Sequence, residues 1–322
     1  GDEENAHPPV GPQTAQDGAG PFDTVRQAYR DAETGEAWLP AAREFLRDHP
    51  DDENVPWVTA RVLYHQAGEL GDAEGAVAAV TGVLEHTTDP EVRFQVATQV
   101  AGAAAELGRS VDLVTAAAEL EAVRPLTYGE NLALMEGAAE LEQWAQVERA
   151  ATAGLEQATP SAWRADRPER DLTDDEVRQR SDRRRGNALS WLAWARFQKG
   201  AVDAAMETFA QADAVMPANY FGIAQDPLPR LWGRALLASG EARSGLEKLA
   251  AAALFAGDEV AHRVLQPALA HRDDAEAILA TVRDRHARPL DDVTLTDSDG
   301  AEHSLTDLQA GRVMLLAFWF PT

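Results

Sequence analysis

NALSWLAWARFQKGAVDAAMETFAQADAVMPAN, residues 187–219, carries two apolar stretches on either side of Gly200. Leu192 and Ala193 precede the glycine by eight and seven residues, and Ala205, Phe209, Ala212 and Pro217 follow it at intervals of three to five. Apolar residues three and four apart share one helix face. A glycine supplies the left-handed residue that ends a helix, and a proline stops the helix that comes after. The stretch therefore reads as two antiparallel helices joined by a tight turn, with Ala193, Ala205 and Ala212 letting them approach and Phe209 filling the wedge against Leu192.

The same offsets recur along the chain. Around Gly240 they pick out Trp232, Gly233, Gly245, Leu249, Ala252 and Gly257; around Gly108, Val100, Ala101, Leu113, Ala117, Leu120 and Pro125. Around Gly71 they pick out Leu63, Tyr64, Ala76, Val80, Val83 and Thr88. A weaker copy centres on Glu142, thirty-four residues after Gly108, with Leu134, Met135, Val147, Ala151, Gly154 and Pro160 but no turn glycine. A hairpin that cannot bury its apolar face alone is stabilised by stacking on its neighbours. The pattern resembles the tetratricopeptide repeat, which implies an all-α, right-handed helical-hairpin solenoid over residues 21–286. Five hairpins are expected, with a further helix pair around Phe22 to Arg47 and another around Glu259 to Arg285.

Charge narrows the function. The 322 residues include 54 Asp and Glu against 29 Lys and Arg, a formal net charge of −25 and a pI near 4.6. Such a field repels phosphate backbones and anionic lipid, so neither nucleic acid nor a charged membrane surface is an expected partner. No run of eighteen apolar residues offers a membrane span. There is no cysteine, hence no disulfide and no thiolate metal site in this chain. Residues 1–20 contain two adjacent prolines, four glycines and little that is apolar. They read as a disordered tether, either the remainder after removal of a signal or lipid anchor or an ordinary frayed terminus. Residues 161–186 interrupt the array with eight arginines among seven acids. Thr173 and Glu176 have capping-box spacing and start a short helix toward Arg185. That insert is read either as an anion or partner contact or as a solvated, salt-bridged segment.

Enzymatic chemistry is not visible in the helical body. No two of the eight histidines lie three or four apart, so metal-ligand spacing is absent, and phosphate-binding glycine loops and a nucleophile elbow are missing. No metal or cofactor is expected. A helical-repeat solenoid instead presents a concave groove lined by the first helix of each hairpin. The register projects Asn187, Ser190, Trp194, Arg230 and Arg234 into it, with Arg61 and His65 from the Gly71 copy. Arg230 and Arg234 are four apart and could share a face to grip a carboxylate of an extended peptide beside Trp194, or could pair with the abundant local acids.

Beyond Arg288 the texture changes to PLDDVTLTDSDGAEHSLTDLQAGRVMLLAFWFPT. Val293 to Thr296 and Glu302 to Leu305 read as strands flanking an Asp299 and Gly300 turn. Ser304 and Asp307 start a short helical turn ending at Gly311, and Val313 to Phe318 forms a buried strand. In order, Pro289, Leu295 to Gly300, Ser304 to Leu308, Gly311 with Arg312, and Phe318 with Trp319 resemble the opening of thioredoxin-like domains of the membrane-anchored thiol-disulfide reductase and peroxiredoxin-like group. The resemblance implies that residues 287–322 begin such a domain and that Phe318, Trp319, Pro321 and Thr322 lead up to its redox Cys-x-x-Cys. It also implies an extracytoplasmic thiol-disulfide oxidoreductase whose solenoid recruits partners. The nucleophile is expected immediately after Thr322, as cysteine or as a selenocysteine whose UGA codon was read as a stop; a fragment boundary or frameshift are the other expectations for that end. The alternative is a non-enzymatic scaffold with a vestigial C-terminal segment.

Overall fold

A computed structural model describes residues 20–287, apart from Glu169, together with residues 294–296 and 299–304. The body is built from helices α1 (Pro21–Asp31), α2 (Gly35–Asp48), α3 (Val55–Val62), α4 (Ala73–His86), α5 (Pro90–Glu106), α6 (Ser110–Glu121), α7 (Tyr128–Glu140) and α8 (Trp144–Gln157). It continues through α9 (Pro160–Asp166), α10 (Asp174–Gln198), α11 (Val202–Val215), α12 (Leu228–Ala238), α13 (Ala242–Phe255), α14 (Glu259–Leu269) and α15 (Ala275–His286). Pairs α1/α2, α3/α4, α5/α6, α7/α8, α10/α11 and α12/α13 pack as hairpins, and the second helix of each also packs on the first helix of the next. First helices touch in series as well, α3 on α5, α5 on α7, α7 on α10 and α10 on α12. Nearest-neighbour packing of this kind defines a solenoid.

The turns explain why the repeats hold their register. Four hairpins close with the same backbone bond, in which the residue after the turn donates to the carbonyl five positions back: Arg109 to Ala104 at 2.8 Å, Gln143 to Ala138 at 2.8 Å, Ala201 to Arg196 at 3.0 Å and Glu241 to Leu236 at 2.9 Å. This Schellman geometry needs a left-handed residue. Gly108, Gly200 and Gly240 supply it at φ 65°, 83° and 88°, and at the weak copy Glu142 is forced to φ 56°. Among the described residues it is the one non-glycine with positive φ.

The Gly71 copy departs from the expected register. After Val62 the chain runs as a π-helix over Leu63–Glu69, and the closing bond goes from Asp72 to Gln66, six positions back. One extra residue is absorbed in the helix. The buried position is thus Val62, fully covered, and Tyr64, expected in the core, is 67% exposed.

The insert also differs from its reading. Thr173 does cap a helix, with the Thr173 hydroxyl facing the Glu176 amide and the Glu176 carboxylate bonded back to Thr173. That helix does not stop near Arg185. It runs 25 residues to Gln198, because nothing between Glu176 and Gln198 breaks it, so most of the insert is an N-terminal extension of the best repeat's first helix.

Apolar packing divides in two. The larger core runs from Val25 to Ala235 and takes Leu228, Leu231 and Ala235 from α12; the smaller takes Leu246, Leu249 and Ala252 from α13, with Ile223, Leu265, Ile278 and Val282. At the seam α12 and α13 approach so closely that a Cβ on Gly245 would lie 2.7 Å from the Gly233 carbonyl oxygen. In the larger core Phe209 is fully buried and stacks on Trp232, 6.0 Å between ring centres. Covering such a ring stabilises by about 2–3 kcal/mol.

Beyond the helices, strands β1 (Thr294–Thr296) and β2 (Glu302–Ser304) pair antiparallel with Thr294 opposite Ser304 and Thr296 opposite Glu302. Val293, Leu305, the expected strand Val313 to Phe318, and the motif residues Phe318, Trp319, Pro321 and Thr322 lie outside the described residues, as do residues 1–19 of the expected tether.

Candidate functional site

The repeat register itself creates the site. Six positions before the turn residues Glu142, Gly200 and Gly240 stand Glu136, Trp194 and Arg234, one on each successive first helix α7, α10 and α12. All three line one cleft of about 630 Å³. Glu140 and Glu142 extend its acidic wall; Trp191, Arg230 and, from α14, Arg263 complete the opposite side.

Trp194 is 5% exposed because the Arg234 guanidinium lies over its ring, 4.6 Å from the ring centre. A guanidinium stacked this way keeps its in-plane N–H groups free for an acceptor. Arg234 is half-buried, and among the described residues no carboxylate stands within ion-pair distance of it. Burial, and then the Arg230 cation, lower its pKa, so the charge is held at a cost that an anionic ligand would relieve. Trp191 adds a second unpartnered donor. It is 5% exposed, and its indole N–H is buried without a hydrogen-bond partner.

Arg230 takes the other course open to it. Its Nε lies 3.0 Å from Asp226 and 3.5 Å from Asp258, so it is neutralised within the protein. Asp258 caps α14 through the Ala261 amide, which fixes the far wall of the site relative to α12. Burial and the neighbouring Asp258 push the Asp226 carboxyl up, against the pull of Arg230. Glu136 is pushed up too, by partial desolvation in the cleft and then by the Asp226 charge.

Of the residues expected in the groove, Trp194, Arg230 and Arg234 meet in this cleft. Ser190 does not: it is fully buried, and its hydroxyl donates to the Gly186 carbonyl at 2.7 Å within α10, which packs on α7, α8, α9, α11 and α12. Asn187 is turned away as well, toward the Tyr128 hydroxyl, a group that burial pushes up to about 12. Arg61 and His65 belong to an aromatic cluster near the N-terminal end. Arg61 stacks 3.6 Å from the Trp57 ring centre, and His65 bonds Glu69 at 2.7 Å through Nδ1 and contacts Tyr29 and Trp38. The extra π-helical residue is the reason, since it moves Tyr64 into the register position that His65 was expected to hold.

Sequence reasoning passed over Trp191, Glu136 and Arg263. The signal for Glu136 was present in the shared offset from Glu142; Arg263 comes from a helix pair with no turn glycine to align it. Among the described residues no group of histidine and carboxylate side chains is placed to hold a metal ion, and no helix is long and apolar enough to cross a membrane.

The fold is an all-α helical-hairpin solenoid. No protein-family profile and no curated protein sequence matches the chain. Among solved structures it is similar to a tetratricopeptide repeat protein from Parabacteroides merdae, at 13% identity and a TM-score of 0.32, over 77% of this chain and 97% of that one. The solenoid assignment stands on the hairpin packing and turn geometry described above.

Proposed function

We propose that the chain is a protein-interaction scaffold whose concave cleft, walled by α7, α10, α12 and α14, receives a carboxylate-bearing segment of a partner protein. The observation that carries this reading is Arg234: a half-buried guanidinium without an acidic partner, in a chain with 54 acidic residues. The Trp191 N–H supplies a second donor in the same cleft, and Glu136, Glu140 and Glu142 favour a segment that also carries a cation. Fluorescein-labelled peptides with a free acidic C-terminus, and their amidated counterparts, test it by polarisation. The free-acid peptides should bind and Arg234→Gln should weaken them about 10- to 100-fold, the worth of a charge-assisted hydrogen bond. Equal binding by the variant and the parent, or by acid and amide, would sink the proposal.

A second reading, that residues 287–322 open a thioredoxin-like domain of an extracytoplasmic thiol-disulfide oxidoreductase, is favoured by the β1/β2 hairpin, which turns at Gly300 with φ 83°. The solenoid would then recruit that enzyme's substrates. This reading requires coding sequence after Thr322 that specifies Cys-x-x-Cys or its selenocysteine counterpart and then a helix, and a product recovered outside the cytoplasm on fractionation. A gene that continues with neither residue refutes it, leaving the scaffold.

A further inference from the structure

Only two lysines occur in the sequence, Lys199 and Lys248, and their surroundings are opposite. Lys199 is paired with Glu148, Nζ to Oε2 2.5 Å. Lys248, on α13, has no hydrogen-bond acceptor or ion-pair partner among the described residues, and its Nζ rests 3.6 Å from the Trp232 ring centre. It opens into a separate cleft of about 370 Å³, whose walls are partly apolar through Ile223, Leu228 and Ala251.

We propose that Lys248 is a carbonyl-capture site, at which a small aldehyde entering this cleft condenses with Nζ to form an imine. The free amine adds its lone pair to the carbonyl carbon and the C=O electron pair moves to oxygen. A proton then passes from nitrogen to oxygen, and the carbinolamine expels water to leave C=N; nothing is oxidised or reduced.

Every element around the amine bears on its reactivity. Burial is the largest influence and lowers its pKa; Asp213 from α11 opposes this and Arg285 from α15 reinforces it. Trp232 of α12 favours the ammonium through its ring face. Glu247, the nearest acid on the same helix, is occupied by Arg243 and Arg285, each at 3.1 Å. His286 lines the same cleft, and its ring is fixed by the bond from Nδ1 to the Phe221 carbonyl at 3.1 Å. An amine held in a partly apolar cleft without a directly paired acid is the arrangement in which lysine serves as a nucleophile.

The test is a competition between the two lysines of the full chain. The protein is treated with propanal and cyanoborohydride near pH 6.5, quenched at partial conversion and mapped by peptide mass spectrometry. Lys248 should be alkylated about fivefold or more faster than Lys199, since each unit of pKa depression multiplies the free amine about tenfold. Its rate should also saturate with propanal concentration while that of Lys199 stays linear. Equal rates, preference for Lys199, or a linear dependence at Lys248 overturns the proposal. The parent protein carries the whole comparison, and Lys248→Met, checked by circular dichroism, should remove only the saturable component.

Discussion

Replacing Glu142 by glycine should stabilise the protein. The residue is held at φ 56° by the Schellman bonds that close α7 onto α8. A left-handed backbone costs an L-residue about 1–2 kcal/mol. Glycine escapes that cost but gives back roughly 0.5–1 kcal/mol through its freer unfolded chain. Removing a carboxylate from the negative end of α7, beside Glu140, adds about 0.3 kcal/mol. The net gain is about 1 kcal/mol, or ~2–4 °C in melting temperature if the body melts as one unit. Thermal unfolding followed by circular dichroism should order the variants Glu142→Gly, then Glu142→Asn, then Glu142→Gln, with the last shifted only by the charge contribution. Gly200→Ala, at φ 83°, should move the opposite way. If Glu142→Gln raised the melting temperature as much as Glu142→Gly, backbone strain would not be the cause. A fall with Glu142→Gly would refute the reasoning altogether.

Other substitutions probe the rest of the body. Gly245→Ala drives a methyl against the Gly233 carbonyl and should cost about 1–3 kcal/mol in chemical denaturation, as overpacked sites do; an unchanged midpoint would mean that the seam between the cores is loose. Thr173→Ala removes the cap of α10 and should cost about 1 kcal/mol. Hydrogen exchange should rise first near Val177, and uniform exchange along α10 would count against a local cap. Glu136→Gln tests the raised carboxyl. A group whose pKa is higher folded than unfolded contributes stability below its unfolded value and loses it as pH rises toward the folded one. The variant should therefore match the parent at acidic pH and melt progressively higher than it up to neutrality; a gap that narrows with rising pH would reverse the assignment.

Much of the body was legible because its signals are local. Turn glycines, apolar residues three and four apart and the Thr173 cap each act within a few residues, and together they located the hairpins and the start of α10. The failures are of two physical kinds. An added residue in α3 was absorbed as π-helix rather than pushed into a loop, and sequence offsets cannot register a change in helical pitch; Tyr64, Arg61 and His65 were misplaced together for that single reason. Ser190 has the right offset for the groove, but its burial is decided by the helices packed around α10, most of them distant in sequence. The cleft chemistry was half legible. Two arginines beside a tryptophan could be placed on neighbouring helices, but which of them meets an acid depends on Asp226 and Asp258 at the ends of α12 and α14.

The division of the apolar interior has a mechanical meaning for the cleft. Its walls draw on two apolar clusters: α7, α10 and the inner face of α12 on the larger core, and α14, through Ala261 and Leu265, on the smaller. Local opening at the C-terminal end would release α14 from one side of the cleft. A ligand spanning both walls acts as a clasp across the two halves, and its affinity becomes a measure of how often that end of the solenoid is shut.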